Sequence, residues 1–215
     1  MLAAMIPWRV RQALERFQDR TADLALSLVT RRIPLPASVS DKAVALIGAS
    51  VGKDWRLHLV FPRIRAFATY EFDKTPLLER ALEQRFDAII IKECAAYFPS
   101  PAVKRELVER WVAMIRRVGV RPVLATVVPV TRRHAEQHPG RAAALWAFND
   151  WLRERCASEG VPLLDLEAAL RCSPADRHLD DRLDSGDGMH LSRRTYREHM
   201  DSLIPPLLLR TFADD

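Results

Sequence analysis

The sequence predicts an α/β domain in which helices cover both faces of a five-stranded parallel sheet. Short apolar runs alternate along the chain with stretches of helical periodicity, which is typical of strand–helix units around such a sheet. Three of the five runs are almost wholly apolar, as expected of strands buried on both faces. At 215 residues the chain is long enough for one domain with a full core. The predicted organisation is a helical extension over residues 1–40 and a single domain over residues 41–215.

The five predicted strands cover residues 42–47, 64–70, 88–92, 122–128 and 162–166. Helix boundaries can be read between them. Thr75 and Ser100 each precede a proline, a pattern that predicts an N-cap followed by the first helical residue. Gly119 and Gly160 predict the left-handed ends of two helices, and Ser192 predicts the N-cap of the last one.

The segment before the first strand carries an amphipathic helical pattern over residues 7–30. Residues 1–40 contain six arginines and only three acidic residues. Such a helix is able to lie on an anionic membrane surface, or to dock against the domain or a second subunit. Docking is favoured, because an apolar stripe with a 3.6-residue period is the default for any surface helix.

Composition excludes several other classes of protein. The net charge of +5 is mild and the arginines are scattered, so nucleic-acid binding is not expected. The three cysteines have no paired spacing and the histidines have no metal-ligand spacing, so we expect no disulfide framework, metal or cofactor. No apolar run reaches eighteen residues, and arginines follow where a signal peptide's apolar core should continue. A cytoplasmic location is therefore predicted.

The first stretch whose residues are suited to catalysis is GASVG at residues 48–52, directly after the first predicted strand. Ligands of open parallel sheets bind at the carboxyl ends of the strands, so Ser50 at this turn would face the crevice. Its amide would then stand where helix-terminal N–H groups stabilise an oxyanion. The alternative is an ordinary strand-to-helix turn in which Ser50 is an N-cap.

The second stretch is SGDGMH at residues 185–190, before the last predicted helix. A serine hydroxyl is a weak nucleophile that needs a neighbouring base, and histidine is the side chain suited to that task near neutral pH. A carboxylate fixes the tautomer of the histidine and stabilises its cation. Asp187 and His190 are close enough in sequence for one turn to supply both. Because this turn follows the fifth strand, it is expected at the same edge of the sheet as Ser50.

Taken in order, these stretches resemble the first and last blocks of the SGNH (GDSL-like) hydrolase family. Further similarity lies in DAIII at residues 87–91, FN at residues 148–149 and GVPLLDL at residues 160–166. The resemblance spans residues 42–204. It implies a three-layer, flavodoxin-like fold and a catalytic triad formed by Ser50, His190 and Asp187.

The sequence departs from the family where the oxyanion is normally bound. Ala96 stands where the family has an asparagine whose amide donates to the oxyanion, and residues 70–73 lack the family's second-block glycine. Lys92 is a candidate to donate to the oxyanion or to hold an anionic substrate group. Glu93 is a candidate to contact a substrate hydroxyl, or, alternatively, to form an ion pair that orders the loop. Cys94 is a less favoured alternative nucleophile.

The resemblance implies hydrolysis of acyl esters through a covalent serine intermediate. We expect a small-molecule or glycan ester as substrate, with small-acyl or carbohydrate-linked esters slightly favoured. Two alternatives stay open: an O-acyltransferase that uses the same residues, and a binding module of the same fold whose catalysis is weakened. The missing asparagine motivates the second alternative.

Overall fold

The computed structural model describes residues 33–213, which form a five-stranded parallel sheet with the strand order β2-β1-β3-β4-β5. This is the order of flavodoxin-like, doubly wound folds, so the predicted fold class is confirmed. The predicted helix over residues 7–30 lies outside the described residues. The strands are β1 Val44–Gly48, β2 Ile64–Ala68, β3 Ala88–Lys92, β4 Arg121–Ala125 and β5 Leu163–Leu164.

Strands β1, β2, β4 and β5 are shorter than predicted, and for β4 and β5 the reasons lie outside the strands themselves. The fourth ends at Ala125 because the amide of Val127 donates to Asn149 Oδ1 (2.8 Å) instead of to a neighbouring strand. The fifth ends at Leu164 because Asp165 turns away to cap a helix, accepting from the amide of Ala168 at 3.0 Å.

Helices fill both faces of the sheet between these strands. They are α1 Ser50–Asp54, α2 Leu57–Val60, α3 Thr75–Leu82, α4 Pro101–Arg117, α5 Arg132–Gln137, α6 Arg141–Glu159, α7 Leu166–Leu170, α8 Arg193–Thr195 and α9 Ile204–Thr211. A π turn and a 3₁₀ turn, Tyr196–Met200 and Asp201–Leu203, connect α8 to α9. Other 3₁₀ turns are Ala37–Val39, Ala95–Tyr97 and Asp181–Leu183. Among these helices of residues 33–213, none has the length and apolar character needed to cross a membrane.

The predicted helix boundaries are partly right. Gly160 ends α6 with a φ of 64°, and Ser192 caps α8 by accepting from the amide of Thr195 at 3.2 Å. The prediction that Thr75 is an N-cap is wrong. Thr75 is the first residue of α3, and Asp73 Oδ1 accepts its amide at 2.9 Å, because a carboxylate two residues upstream is available for that bond.

Alternate residues of the central strands build two separate apolar layers. One layer, which we call the α1 face, joins Leu46 and Ile90 to Val51 of α1 and to Leu191 beside the last helical segment. The opposite layer, the α4 face, joins the intervening strand residues to α4 and α6. Strand side chains alternate between the faces of a sheet, so the position of a residue in β1 or β3 decides which layer it enters.

Helix α1 lies unusually close to the neighbouring strand. A Cβ atom added to Gly52 would stand 2.7 Å from the carbonyl oxygen of Phe67 in β2, a distance that backbone atoms do not tolerate. The second glycine of the GASVG stretch therefore permits α1 to pack directly on β2. This contact fixes the position of Ser50 at the amino end of α1.

Candidate active site

Ser50 is the first residue of α1, immediately beyond the carboxyl end of β1. Ala49 occupies the N-cap position, so the alternative in which Ser50 caps the helix is not observed. The side chain of Ser50 is largely buried, with 8% of its surface exposed. Within the described part of the chain, its hydroxyl has no hydrogen-bond partner.

Asp187 and His190 face each other in a single turn. His190 Nδ1 lies 2.5 Å from Asp187 Oδ2, and Asp187 Oδ1 accepts from the amides of Met189 (2.9 Å) and His190 (2.8 Å). Partial burial opposes the ionisation of Asp187, but the bonds from the His190 ring and the two amides outweigh it and lower its pKa to about 2. The carboxylate is therefore charged at neutral pH and fixes the orientation of the imidazole.

The turn that carries these two residues is closed by its own backbone and by Asp184. Asp184 and Leu191 form an antiparallel bridge, and the Asp184 carboxylate accepts the amide of Gly188 at 3.0 Å. Gly186 and Gly188 have φ values of 110° and 81°, which other residues rarely adopt. The clustering of glycines in this stretch thus reflects a real conformational need. Asp184 is a supporting residue that the sequence motifs do not identify.

The loop after β4 supports the same turn from behind. The amide of Thr131 donates to the carbonyl of Gly188 at 2.9 Å, and a Cβ on Gly188 would stand 2.7 Å from His134 Cβ. Burial lowers the pKa of His134, assisted by His138 and by Arg141, whose guanidinium lies 2.8 Å from Nε2. The backbone of Asp187 opposes this lowering of the His134 pKa without reversing it. More than fifty positions separate His134 from that turn, so no local pattern could have revealed the contact.

Residues adjoining Ser50 and His190 pack in the apolar layer of the α1 face. Val51 and Leu191 belong to that layer, while Met189, on the other side of His190, packs against the α4 face. The structure forms no hydrogen bond between the Ser50 hydroxyl and the His190 ring, whose Nε2 is not engaged by any residue from 33 to 213. Catalytic hydrogen bonds are commonly long in free enzymes and tighten in the substrate complex. The structure thus brings His190 and Asp187 together and leaves Ser50 unbonded.

The remaining candidate residues follow β3. Lys92 ends that strand with its side chain 3% exposed, and burial lowers its pKa to about 8. Glu93, also buried, lies between two ammonium groups, 2.9 Å from Lys74 Nζ and 3.0 Å from Lys104 Nζ. Its carboxylate is therefore occupied, which favours the ion-pair interpretation over contact with a substrate. Ala96 is exposed in a 3₁₀ turn, and its methyl side chain is not a hydrogen-bond donor.

Comparison with known proteins places this arrangement in a family. The model of the GDSL-like lipase/acylhydrolase family matches residues 71–198, more than half of the chain. The chain belongs to the GDSL-like lipase/acylhydrolase family. The match includes Asp187 and His190 and begins after Ser50. No curated protein sequence matches the chain.

Solved structures of GDSL-like proteins share the fold at low sequence identity. A G-D-S-L family protein from Desulfitobacterium hafniense is 16% identical with a TM-score of 0.63, covering 78% of this chain and 99% of its own. A GDSL-like lipase from Bacteroides thetaiotaomicron is 12% identical with a TM-score of 0.63, covering 89% and 95%. An acetylxylan esterase from Geobacillus stearothermophilus is 13% identical with a TM-score of 0.56, covering 82% and 96%. At these identities the similarity establishes the fold.

In this GDSL-like protein, Lys104 joins the loops that follow β2 and β3. Lys104 Nζ lies 3.6 Å from the ring centre of Phe72 and 4.4 Å from that of Tyr97, and it donates to the Phe72 carbonyl at 2.7 Å. The Tyr97 hydroxyl in turn donates to the carbonyl of Tyr70. The loops after β2 and β3 are thereby joined around Glu93 into one cation–aromatic cluster. We call Phe72, Tyr97 and the Lys74–Glu93–Lys104 ion pairs the loop cluster.

Replacing Glu93 by glutamine is expected to lower the free energy of unfolding by about 3–5 kcal/mol, because it leaves two buried ammonium groups without a counter-charge. Urea denaturation followed by circular dichroism measures this change. Glu71→Gln is the matched control: Glu71 is exposed, so we expect little change. If Glu93→Gln and the parent have the same free energy of unfolding, the ion pairs do not stabilise the loop cluster.

Proposed function

We propose that this chain is an acyl-ester hydrolase that works through a covalent serine intermediate. Ser50 is the nucleophile, His190 the general base and Asp187 the acid that orients it. The observation that carries the proposal is the 2.5 Å contact between Asp187 Oδ2 and His190 Nδ1. It leaves the opposite ring nitrogen, Nε2, to accept a proton on the face of the sheet where Ser50 begins α1.

The reaction proceeds in two half-reactions, acylation of Ser50 and hydrolysis of the acyl-enzyme. His190 Nε2 takes the Ser50 proton as Oγ bonds to the ester carbonyl carbon, and the carbonyl π electrons move onto oxygen to give an oxyanion. When the oxyanion collapses, the bond to the alcohol breaks and the imidazolium protonates the leaving oxygen. Water then repeats both steps on the acyl-enzyme, which releases the carboxylic acid and restores Ser50. The charged carboxylate of Asp187 stabilises the imidazolium in each half.

Small-acyl or carbohydrate-linked esters are the substrates that we favour. A cavity of about 320 Å³ beside Asp187 has mostly polar and charged lining residues, including Thr131, Arg133, Gln137 and Asp181; Ser50 and His190 are not among them. Such a lining suits a hydroxylated alcohol portion better than a long acyl chain. The acetylxylan esterase from G. stearothermophilus, which shares the fold, acts on an ester of this kind.

Hydrolysis of short p-nitrophenyl esters, combined with a fluorophosphonate probe, tests the proposal. We expect release of p-nitrophenolate, a probe adduct on the peptide that contains Ser50, and loss of hydrolysis in proportion to labelling. His190→Ala is the matched control and should label far more slowly, since the serine loses its base. Failure of Ser50 to label, or hydrolysis that survives complete labelling, would contradict the assignment.

The same assay separates hydrolysis from acyl transfer. Both reactions share the acyl-enzyme and differ only in the hydroxyl that attacks it. Addition of a xylooligosaccharide acceptor should leave the rate of p-nitrophenolate release and the yield of free acid unchanged for a hydrolase. A transferase would instead produce acylated sugar at the expense of free acid.

A further inference from the structure

We propose that the ammonium group of Lys92 donates a hydrogen bond to the oxyanion of this reaction, in the place of the asparagine amide that the chain lacks. The inference rests on the proposed function, because it assigns a further catalytic residue to the same site. It follows from the direction of the Lys92 side chain, from the absence of a counter-charge and from the small residues beside it.

The register of the sheet places the side chain of Lys92 on the α1 face. Ala88 and Ile90, four and two positions earlier in β3, enter the apolar layer of that face. Because side chains alternate along a strand, Lys92 points to the same face. Its register partner in β4, Ala125, belongs to the same layer. This is the face against which α1, the helix that begins at Ser50, is packed.

The residues beside Lys92 leave room for its side chain at the carboxyl end of β1. Gly48, the last residue of β1, lies next to it: a Cβ built on Gly48 would be 3.8 Å from Lys92 Cβ. Ser50 follows two residues later. On the other side, Ala125 contributes only a methyl group. The side chain of Lys92 thus lies between Gly48 and Ala125. Gly48 is two positions before the proposed nucleophile, Ser50.

Within residues 33–213, Lys92 forms no ion pair with a carboxylate. Glu93, its neighbour in sequence, is held by Lys74 and Lys104, and the ion pairs formed among residues 33–213 do not include Lys92. A buried ammonium without a counter-charge is destabilising, so its presence needs an explanation outside the stability of the fold. A site at which negative charge develops during a reaction supplies that explanation.

The chemistry requires only that Lys92 stay protonated. One N–H of the ammonium donates a hydrogen bond to the oxyanion, no bond to nitrogen is made or broken, and the proton stays on Lys92 throughout. A charged donor forms a stronger hydrogen bond than an amide does. Burial lowers the pKa of Lys92 to about 8, so most of the groups carry the proton at neutral pH and lose it as the pH rises above that value.

Replacing Lys92 by methionine, which has similar length and no charge, is the direct test. We expect kcat for a neutral p-nitrophenyl ester to fall by about 100- to 1,000-fold with little change in KM, the usual result of removing one oxyanion donor. Lys92→Arg keeps a charged donor and should recover part of kcat. Lys53→Met, which removes an exposed charge from α1, is the matched control and should change kcat by less than about threefold.

Stability and pH dependence separate this role from a structural one. The pKa of Lys92 is lower in the folded chain than in the unfolded chain, so the unfolded chain binds more protons between about pH 8 and its unperturbed value. The charged lysine therefore costs stability below that window, and Lys92→Met should raise the melting temperature at pH 7 while lowering kcat. In the parent, kcat should decline as the pH rises through about 8, and Lys92→Arg should lack this decline.

The outcomes are distinguishable. If the parent hydrolyses esters through Ser50 but Lys92→Met keeps the parental kcat, the inference is overturned and the proposed function stands. If only KM for an anionic ester rises, Lys92 binds a substrate anion and the inference is also overturned. If Lys92→Met is insoluble, the pH profiles of kcat for the parent and for Lys92→Arg decide the question. Identical declines of kcat at alkaline pH in the two proteins would overturn the inference. A parent that hydrolyses no ester overturns the proposed function and this inference with it.

Discussion

Ser50→Ala is expected to lower kcat for p-nitrophenyl ester hydrolysis by on the order of 10⁴- to 10⁶-fold, the scale of loss when a serine hydrolase loses its nucleophile. Without Oγ no acyl-enzyme forms, and the residual rate comes from binding and oxyanion stabilisation of direct attack by water. The measurement is steady-state kinetics together with intact-mass detection of the acyl-enzyme after rapid quenching.

Ser185→Ala is the matched control for this substitution. Ser185 is exposed in the same turn as Asp187 and takes part there through its backbone, whose amide donates to the His190 carbonyl at 2.8 Å. Its hydroxyl can be removed without loss of that bond, so parental kinetics are expected. A Ser50→Ala protein that hydrolyses esters as fast as the parent would mean that another group is the nucleophile. Cys94 would then be the next residue to test.

Asp187→Asn is expected to lower kcat by about 10⁴-fold while the protein stays folded. An amide in this position can donate to Nδ1 of His190, which stabilises the tautomer that carries its proton on Nε2 and is unable to accept the Ser50 proton. Asp41→Asn, which removes an exposed acid just before β1, is the matched control. Equal kcat values for Asp187→Asn and the parent would remove Asp187 from the mechanism.

The pH dependence of the parent adds an independent check on Asp187. Its pKa is lowered to about 2 in the folded chain, so its hydrogen bonds stabilise the fold at every pH above its unperturbed value. This stabilisation is lost only as the pH falls toward about 2. A decrease in kcat observed between pH 5 and 7 therefore belongs to another group.

The sequence contains the information for this fold where signals are local. The apolar runs of β1, β3 and β4 predict strands because both faces of a central parallel strand are buried, and Asp187 and His190 are predicted together because three residues separate them. The ends of β4 and β5 could not be predicted in the same way. They depend on Asn149 and on the helix-capping role of Asp165, whose hydrogen bonds compete with the sheet.

For the candidate site, the sequence predicts the proposed triad but not the contacts that support it. Ser50, His190 and Asp187 follow from residue type and order, whereas the packing of Gly52 on Phe67 and of Gly188 on His134 joins segments that are distant in sequence. The direction of Lys92 needed the register of β3, since a shift of one residue would turn its side chain to the opposite face. Residue type therefore indicated the chemistry, and three-dimensional register was needed to decide which charged group faces it.

The loop cluster has a consequence for how substitutions in this part of the chain combine. Tyr97 is bound to the loop after β2, and Lys104 contacts both Tyr97 and Phe72. Glu93 holds the ammonium groups of Lys74 and Lys104 between the same loops. We therefore expect the two loops to be epistatic, so that the effect of a substitution in one depends on which residues are present in the other.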